Sequence, residues 1–119
     1  MALKSAEMAG IQIPRKTWRN AKKFLDSVQN QSGYFGYLSS DDENRSCTAI
    51  GMLARMYTGW HREHEMFVPG HEILDAKGPM KTDAYFNYYA TQVMFHFNDS
   101  KAWPKWNQKI REHLVKTQS

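Results

Sequence analysis

The sequence predicts an all-α protein, an array of about six helices paired as antiparallel hairpins, and three observations predict it. Amphipathic segments at 15–30, 71–77 and 103–118 alternate with mostly apolar ones at 47–58 and 84–97, the pattern that an outer and an inner layer of helices require. Cys47-Thr48-Ala49 and Tyr89-Ala90-Thr91 lie 42 residues apart, and Met52 matches Met94 at the same offset. A period near that length falls in the range of two-helix repeats. Finally, the Leu-x3-Gln core of Phe24-Leu25-Asp26-Ser27-Val28-Gln29 recurs in His113-Leu114-Val115-Lys116-Thr117-Gln118. The array is therefore expected to be partial, a single helical-repeat domain over 1–119 cut from a longer assembly.

Ala2 to Ala9 reads as a short helix that Gly10 stops. Pro14 then suits the first turn of a second helix, in which Trp18, Ala21, Leu25 and Val28 share a face and Lys22, Lys23 and Asp26 lie elsewhere. Gly33-Tyr34-Phe35-Gly36-Tyr37 and the polar stretch from Ser39 to Arg45 make a loop. Ser46 is expected to cap the next helix, where Ile50, Leu53, Ala54 and Tyr57 form a stripe. Cys47, Ala49, Met52 and Met56 leave that helix little polar surface, so burial on most sides is expected. A connector from Gly59 to Gly70 leads to a short helix at His71 to Lys77, closed by Gly78-Pro79. An apolar helix from about Asp83 to Phe97 ends at Asn98-Asp99-Ser100, and the last helix carries Trp103, Trp106, Ile110 and Leu114 on one face.

With 119 residues, 41% hydrophobic and 13% aromatic, the chain suits one domain with a core of its own. The lone Cys47 excludes an intrachain disulfide and a cysteine-based zinc cluster, and leaves the compartment open. No apolar run approaches the roughly 20 residues that span a bilayer. No signal-peptide pattern follows Met1. A net charge of +4 and a pI near 9.2 raise the question of nucleic acid. The bases are spread over Arg15, Lys16, Arg19, Lys22 and Lys23 on one segment and Lys105, Lys109, Arg111 and Lys116 on another, with Asp26 and Glu112 among them. Solvated outer faces of two helices account for this better than a phosphate-binding surface.

Phe24, Leu25, Gln29, Gly33 and Phe35 resemble the repeat signature of the squalene–hopene cyclase and protein prenyltransferase superfamily, with Ala21 near the place of a family Gly. Ala2-Leu3-Lys4-Ser5-Ala6, Thr48-Ala49-Ile50-Gly51-Met52-Leu53 and Tyr88-Tyr89-Ala90-Thr91-Gln92 are similar to bacterial proteins described as prenyltransferase or squalene-oxidase repeat proteins. The resemblance covers nearly the whole chain. It implies an α/α toroid, inner helices ringed by outer ones, of which this chain would form part. It further implies that Gln29 caps a neighbouring helix with Phe35 packed on it, and that Gln118 belongs to a second copy of the motif.

The catalytic motifs of the family do not carry over. Its cyclases protonate an alkene with an Asp-x-Asp-Asp placed before Thr-Ala, whereas Thr48-Ala49 follows Asn44, Arg45, Ser46 and Cys47. Asp41, Asp42 and Glu43 come too early and read as loop residues. The prenyltransferases place a zinc-binding His where Cys47 stands, and the accompanying Asp-x-Cys is missing. No catalytic residue, metal or cofactor is therefore assigned.

His61, Glu63, His64, Glu65 and His71 form the one metal-like cluster, without His-Glu-x-x-His spacing and beside Gly59 and Gly70, which points to exposed loop residues. Cys47 as a nucleophile would need a base, for which His96 is the internal candidate, but a buried small residue is the better reading. Tyr85, Tyr88, Tyr89, Gln92 and His96 share one side of the apolar helix. They are the candidate ligand-binding residues, because family aromatics at such positions line a central cavity and face cations through their rings. Packing between repeats is the alternative. Arg55, inside an apolar helix, requires a carboxylate or a path to water.

The functional expectation is a non-catalytic repeat module with a structural or binding role. The alternative is part of an isoprenoid-binding cavity of a cyclase-like or prenyltransferase-like enzyme. Expected partners are the remainder of the ring or a second copy, meeting at apolar end faces formed by Ala2 to Met8 and by Trp103, Trp106 and Leu114.

Overall fold

The computed structural model describes residues 1–118, with Ser119 outside them. Six helices follow one another: α1 (Ala2–Met8), α2 (Arg15–Val28), α3 (Arg45–Tyr57), α4 (Val68–Lys77), α5 (Ala84–Phe97) and α6 (Ala102–Thr117). Among the described residues there is no strand, only isolated bridges that tie Phe35 to Gln29 and to Asn44. The all-α class and the six-helix count expected from the sequence are what the chain adopts.

The apolar segments explain which helices lie inside. α3 and α5 pack directly on each other as the central pair. α2 leans on α3, α6 on α5, and α4 touches both. From Ser46 to Tyr57 no residue of α3 is exposed, as its lack of a polar face requires. α5 is different. It buries Phe86, Ala90, Val93, Met94 and Phe97, yet exposes Tyr85, Tyr88, Phe95 and His96 along another side. The repeat offset reappears in burial, since Thr48 and Ala90, and Met52 and Met94, are all closed off from water at matching places on the two central helices.

Helix boundaries follow local chemistry. Asn44, not Ser46, caps α3: its extended backbone lets Oδ1 accept from the Cys47 N–H at 2.9 Å. Asp83 caps α5 in the same way through the Phe86 N–H, 2.8 Å away. α4 begins at Val68, three residues before the expected His71, because proline is tolerated in a first turn and Phe67 O already accepts from the His71 N–H at 3.1 Å. Asn98 adopts the left-handed conformation (φ 53°) that ends α5. The carboxylate of Asp99 then accepts from the N–H groups of Lys101 and Ala102, opening α6.

Two glycines mark close approaches between elements. Gly33 has φ +95°, and a Cβ there would lie 2.6 Å from the backbone N of Gly70, so the loop after α2 rests directly on the start of α4. Gly51 of α3 lies against the Phe35 ring, and any Cβ would overlap it. An aromatic chain closes this end: His71 stacks on Phe97 (centroids 3.8 Å apart), Phe97 meets Phe67, and Phe67 meets Trp60 edge-on.

The expected end faces need a correction. Trp106 is 1% exposed and belongs to the core, where its indole N–H donates to Thr91 Oγ1 at 3.0 Å. Trp103 is half-buried, with its ring edge-on to Phe95. Of the three α6 residues expected there, only Leu114 is exposed, together with its neighbour Val115. α1 buries none of its residues, though Leu3, Lys4 and Ala6 are partly covered.

Candidate functional site

The motif residues come together around Arg55. Gln29 ends α2, where its N–H still donates to Leu25 O while its backbone turns extended. Its side-chain Oε1 thereby faces α3 and accepts from Arg55 Nε at 3.2 Å and Nη2 at 2.9 Å. Arg55 Nη2 also reaches Asp26 Oδ1 at 2.6 Å. The guanidinium carbon sits 4.3 Å from the Trp60 ring centroid, within cation–π range, and 6.0 Å from that of Phe35. A buried cation with a carboxylate, an amide and two aromatic faces is thus compensated, as its place inside an apolar helix demands.

This differs from the expected capping role of Gln29. Its amide does reach toward a helix start, but the contact to Met66 O is 3.5 Å long. The short bonds go to Arg55 because the guanidinium offers a planar fork of charged donors to the amide oxygen. Leu25, Gly33 and Phe35 are buried beside this cluster, and Phe35 N–H donates to Thr48 Oγ1 at 3.0 Å. Phe24 is exposed at the edge of α2 and takes no part. Gln118 holds the same C-cap place on α6 that Gln29 holds on α2, with its N–H donating to Leu114 O, and it is exposed.

The candidate ligand-binding residues lie on α5, as their spacing indicates, but they do not form one enclosed cavity. Tyr89 is edge-on to both Tyr85 and Tyr88, with centroids 4.9 and 5.0 Å apart. Tyr88, Tyr89 and Gln92 face α1 across a cleft of about 230 Å³ that Tyr57, Met1 and Met8 also line. Tyr85 stands exposed beside it. His96 opens on a separate cleft of about 430 Å³ with Met56, Tyr57, Trp60, His61 and Arg62. A third, mainly apolar hollow of about 260 Å³ lies under the other side of α1, against Trp18, Phe24, Ile50 and Ala54.

The metal-like cluster is dispersed. Among the described residues no group of three His, Cys, Asp or Glu side chains is placed to hold a metal ion. His61, Glu63 and Glu65 are exposed. His64 is not the exposed residue expected: it stacks on Trp60 with centroids 3.7 Å apart, and its Nδ1 accepts from Met66 N–H. His71 is 7% exposed and its buried Nε2 has no hydrogen-bond partner among the described residues. Burial pushes its pKa down, against Asp75, Asp99 and Glu72, which pull it up. Backbone donation from Ala102 and Lys101 holds the Asp99 carboxyl below its ordinary range.

Cys47 is half-buried in the first turn of α3, where burial and then the charge of Asp42 hold its thiol above its ordinary pKa. That environment keeps it a protonated thiol, the opposite of an activated nucleophile. Among the described residues no helix is long and apolar enough to cross a membrane.

Three features escaped the sequence reading. The bond between Gln29 and Arg55 has a signal only in part, since the lone cation in an apolar helix announces that a partner exists but not which one. Thr48 Oγ1 as acceptor for the loop backbone gave no signal. α1 as a wall of the tyrosine cleft gave none either. Compared with protein-family models, curated proteins and solved structures, the chain matches none.

Proposed function

We propose that the chain is a repeat module of the squalene–hopene cyclase and protein prenyltransferase type, with a binding or structural role and no catalysis of its own. The observation that carries this reading is the start of α3. Where the cyclases hold their acid, Asn44 Oδ1 takes the Cys47 N–H, and Thr48 Oγ1 donates to Asn44 O at 2.7 Å while accepting from Phe35. These groups are spent on ending a loop and starting a helix, with no carboxylic acid among them to deliver a proton. The motif residues Leu25, Gln29, Gly33 and Phe35 likewise serve to fix α2 on α3. Its partners would be the remaining repeats of a ring or a second copy, meeting apolar side chains such as Leu114 and Val115.

A second reading, part of an isoprenoid-binding cavity, is favoured by one observation: Tyr57, Tyr88 and Tyr89 gather with Met1 and Met8 around the α1 cleft. Aromatic and thioether walls suit an apolar chain. The two readings part on turnover. Purified chain incubated with squalene or with a prenyl diphosphate is expected to give no product above a heat-killed control. Product that disappears on Tyr89→Ala or Cys47→Ala would overturn the non-catalytic reading.

A further inference from the structure

Five cations, Arg15, Lys16, Arg19, Lys22 and Lys23, occupy the first nine residues of α2, against one acid, Asp26, near its end. The sequence spreads them, but the fold collects three. Arg15, Arg19 and Lys22 recur at helical spacing with Trp18 between them, and all four line a cleft of about 530 Å³. Its far walls are the end of α3, including Tyr57, and Lys4 and Glu7 of α1, so the cleft also holds one carboxylate. Lys4 already has a partner, Glu7, at 2.7 Å. Arg15, Arg19 and Lys22 have no ion pair among the described residues.

That arrangement is electrostatically unfavourable for the bare protein. Arg15 and Lys16 stand in the first turn of α2, whose N-terminal end is itself positive, and that turn has neither an acidic residue nor a side-chain cap. The one carboxylate later in the helix, Asp26, is committed to Arg55. An anion in the cleft would relieve the repulsion of three side chains and the helix end together. Trp18 and Tyr57 supply flat apolar surface next to it.

We propose that this cleft is a binding site for a phosphate group, held by Arg15, Arg19 and Lys22, with Trp18 and Tyr57 against the organic part that the phosphate carries. The source is a soluble phosphate ester or the headgroup of an anionic lipid, which share the same chemistry. The site is independent of the tyrosine face of α5 and of the non-catalytic reading.

The probes are inorganic pyrophosphate, followed by calorimetry at about 50 mM salt, where screening is still moderate, and phosphatidylcholine vesicles with and without phosphatidic acid, followed by co-sedimentation. The double variant Arg15→Gln/Arg19→Gln is compared with Lys109→Gln/Arg111→Gln on α6, which removes the same charge elsewhere. All four residues are exposed, so both variants are expected to fold. Saturable pyrophosphate binding, weakened roughly tenfold or more by the α2 variant and unchanged by the α6 variant, supports the site with a soluble ligand. The same residue dependence seen only with phosphatidic acid vesicles supports it with a lipid source. Binding absent from both probes, or weakened equally by the two variants, overturns it.

Discussion

Arg55 is buried, and the carboxylate that answers it, Asp26 at 2.6 Å, is largely in water. The ion pair therefore reaches from the central helix α3 to the outer face of α2, and only its inner end is shielded. Gln29 is the partner on the shielded side, accepting both guanidinium bonds from within.

The order of two substitutions follows from that asymmetry. Gln29→Ala strips a buried charged donor of its acceptor and is expected to cost on the order of 1–2 kcal/mol. Asp26→Ala removes an exposed partner that water replaces, so its cost should stay below about 1 kcal/mol. Urea denaturation of the two variants measures the difference. An unchanged midpoint for Gln29→Ala, or a larger loss for Asp26→Ala, would show that the amide does not carry the contact.

Gly51 sets two tendencies against each other. Alanine is favoured over glycine in a helix by about 1 kcal/mol, but here the methyl would enter the space of the Phe35 ring. Overpacking of this kind costs about 1–3 kcal/mol, so Gly51→Ala is expected to destabilise. Thermal unfolding decides the sign, and a raised melting temperature would mean that the Phe35 loop gives way freely.

His71 predicts a pH dependence. Burial lowers its pKa in the folded protein from the ordinary 6.5, opposed by Glu72 and Asp75 of α4 and Asp99 before α6, while Lys105 of α6 reinforces the lowering. Lys105 is itself paired with Asp75 at 2.7 Å. Above 6.5 the imidazole is neutral in both folded and unfolded chains and stability is complete. As pH falls below that value the unfolded chain binds a proton that the folded chain refuses, and stability declines until the folded pKa is passed. His71→Phe keeps the stack on Phe97 and removes the titration. Its urea midpoint should therefore fall less than that of the parent chain between neutral pH and mildly acidic pH. Parallel declines would place the effect on other groups.

The helices were legible because their apolar periodicity is strong, and α3 and α5 stood out as inner helices because they lack a polar face. The start of α4 was not legible: Val68-Pro69-Gly70 reads as connector from propensity, and only the packing of Gly70 under Met52 and over the Gly33 loop makes it helix. Capping by Asn44 in place of Ser46 was a choice between two good caps that local sequence does not decide. For the candidate site, the residues of the Gln29 motif were found and their partner was not. A side chain's neighbour across two helices is a property of tertiary packing. The same holds for His64 and His71, whose polar character pointed to solvent and whose rings found aromatic stacks instead.

The contrast between α1 and the central pair has a consequence for how the chain opens. α1 has no buried residue and, among the described residues, no hydrogen bond to any other element. Its amides are protected by little more than the two turns of helix they close, so deuterium should replace their protons by local fraying. The amides of α3 and α5 sit where each helix shields the other and should exchange only when the whole core parts. The tyrosine cleft has one wall from each class, so exchange is expected to be slow along its α5 side and fast along its α1 side.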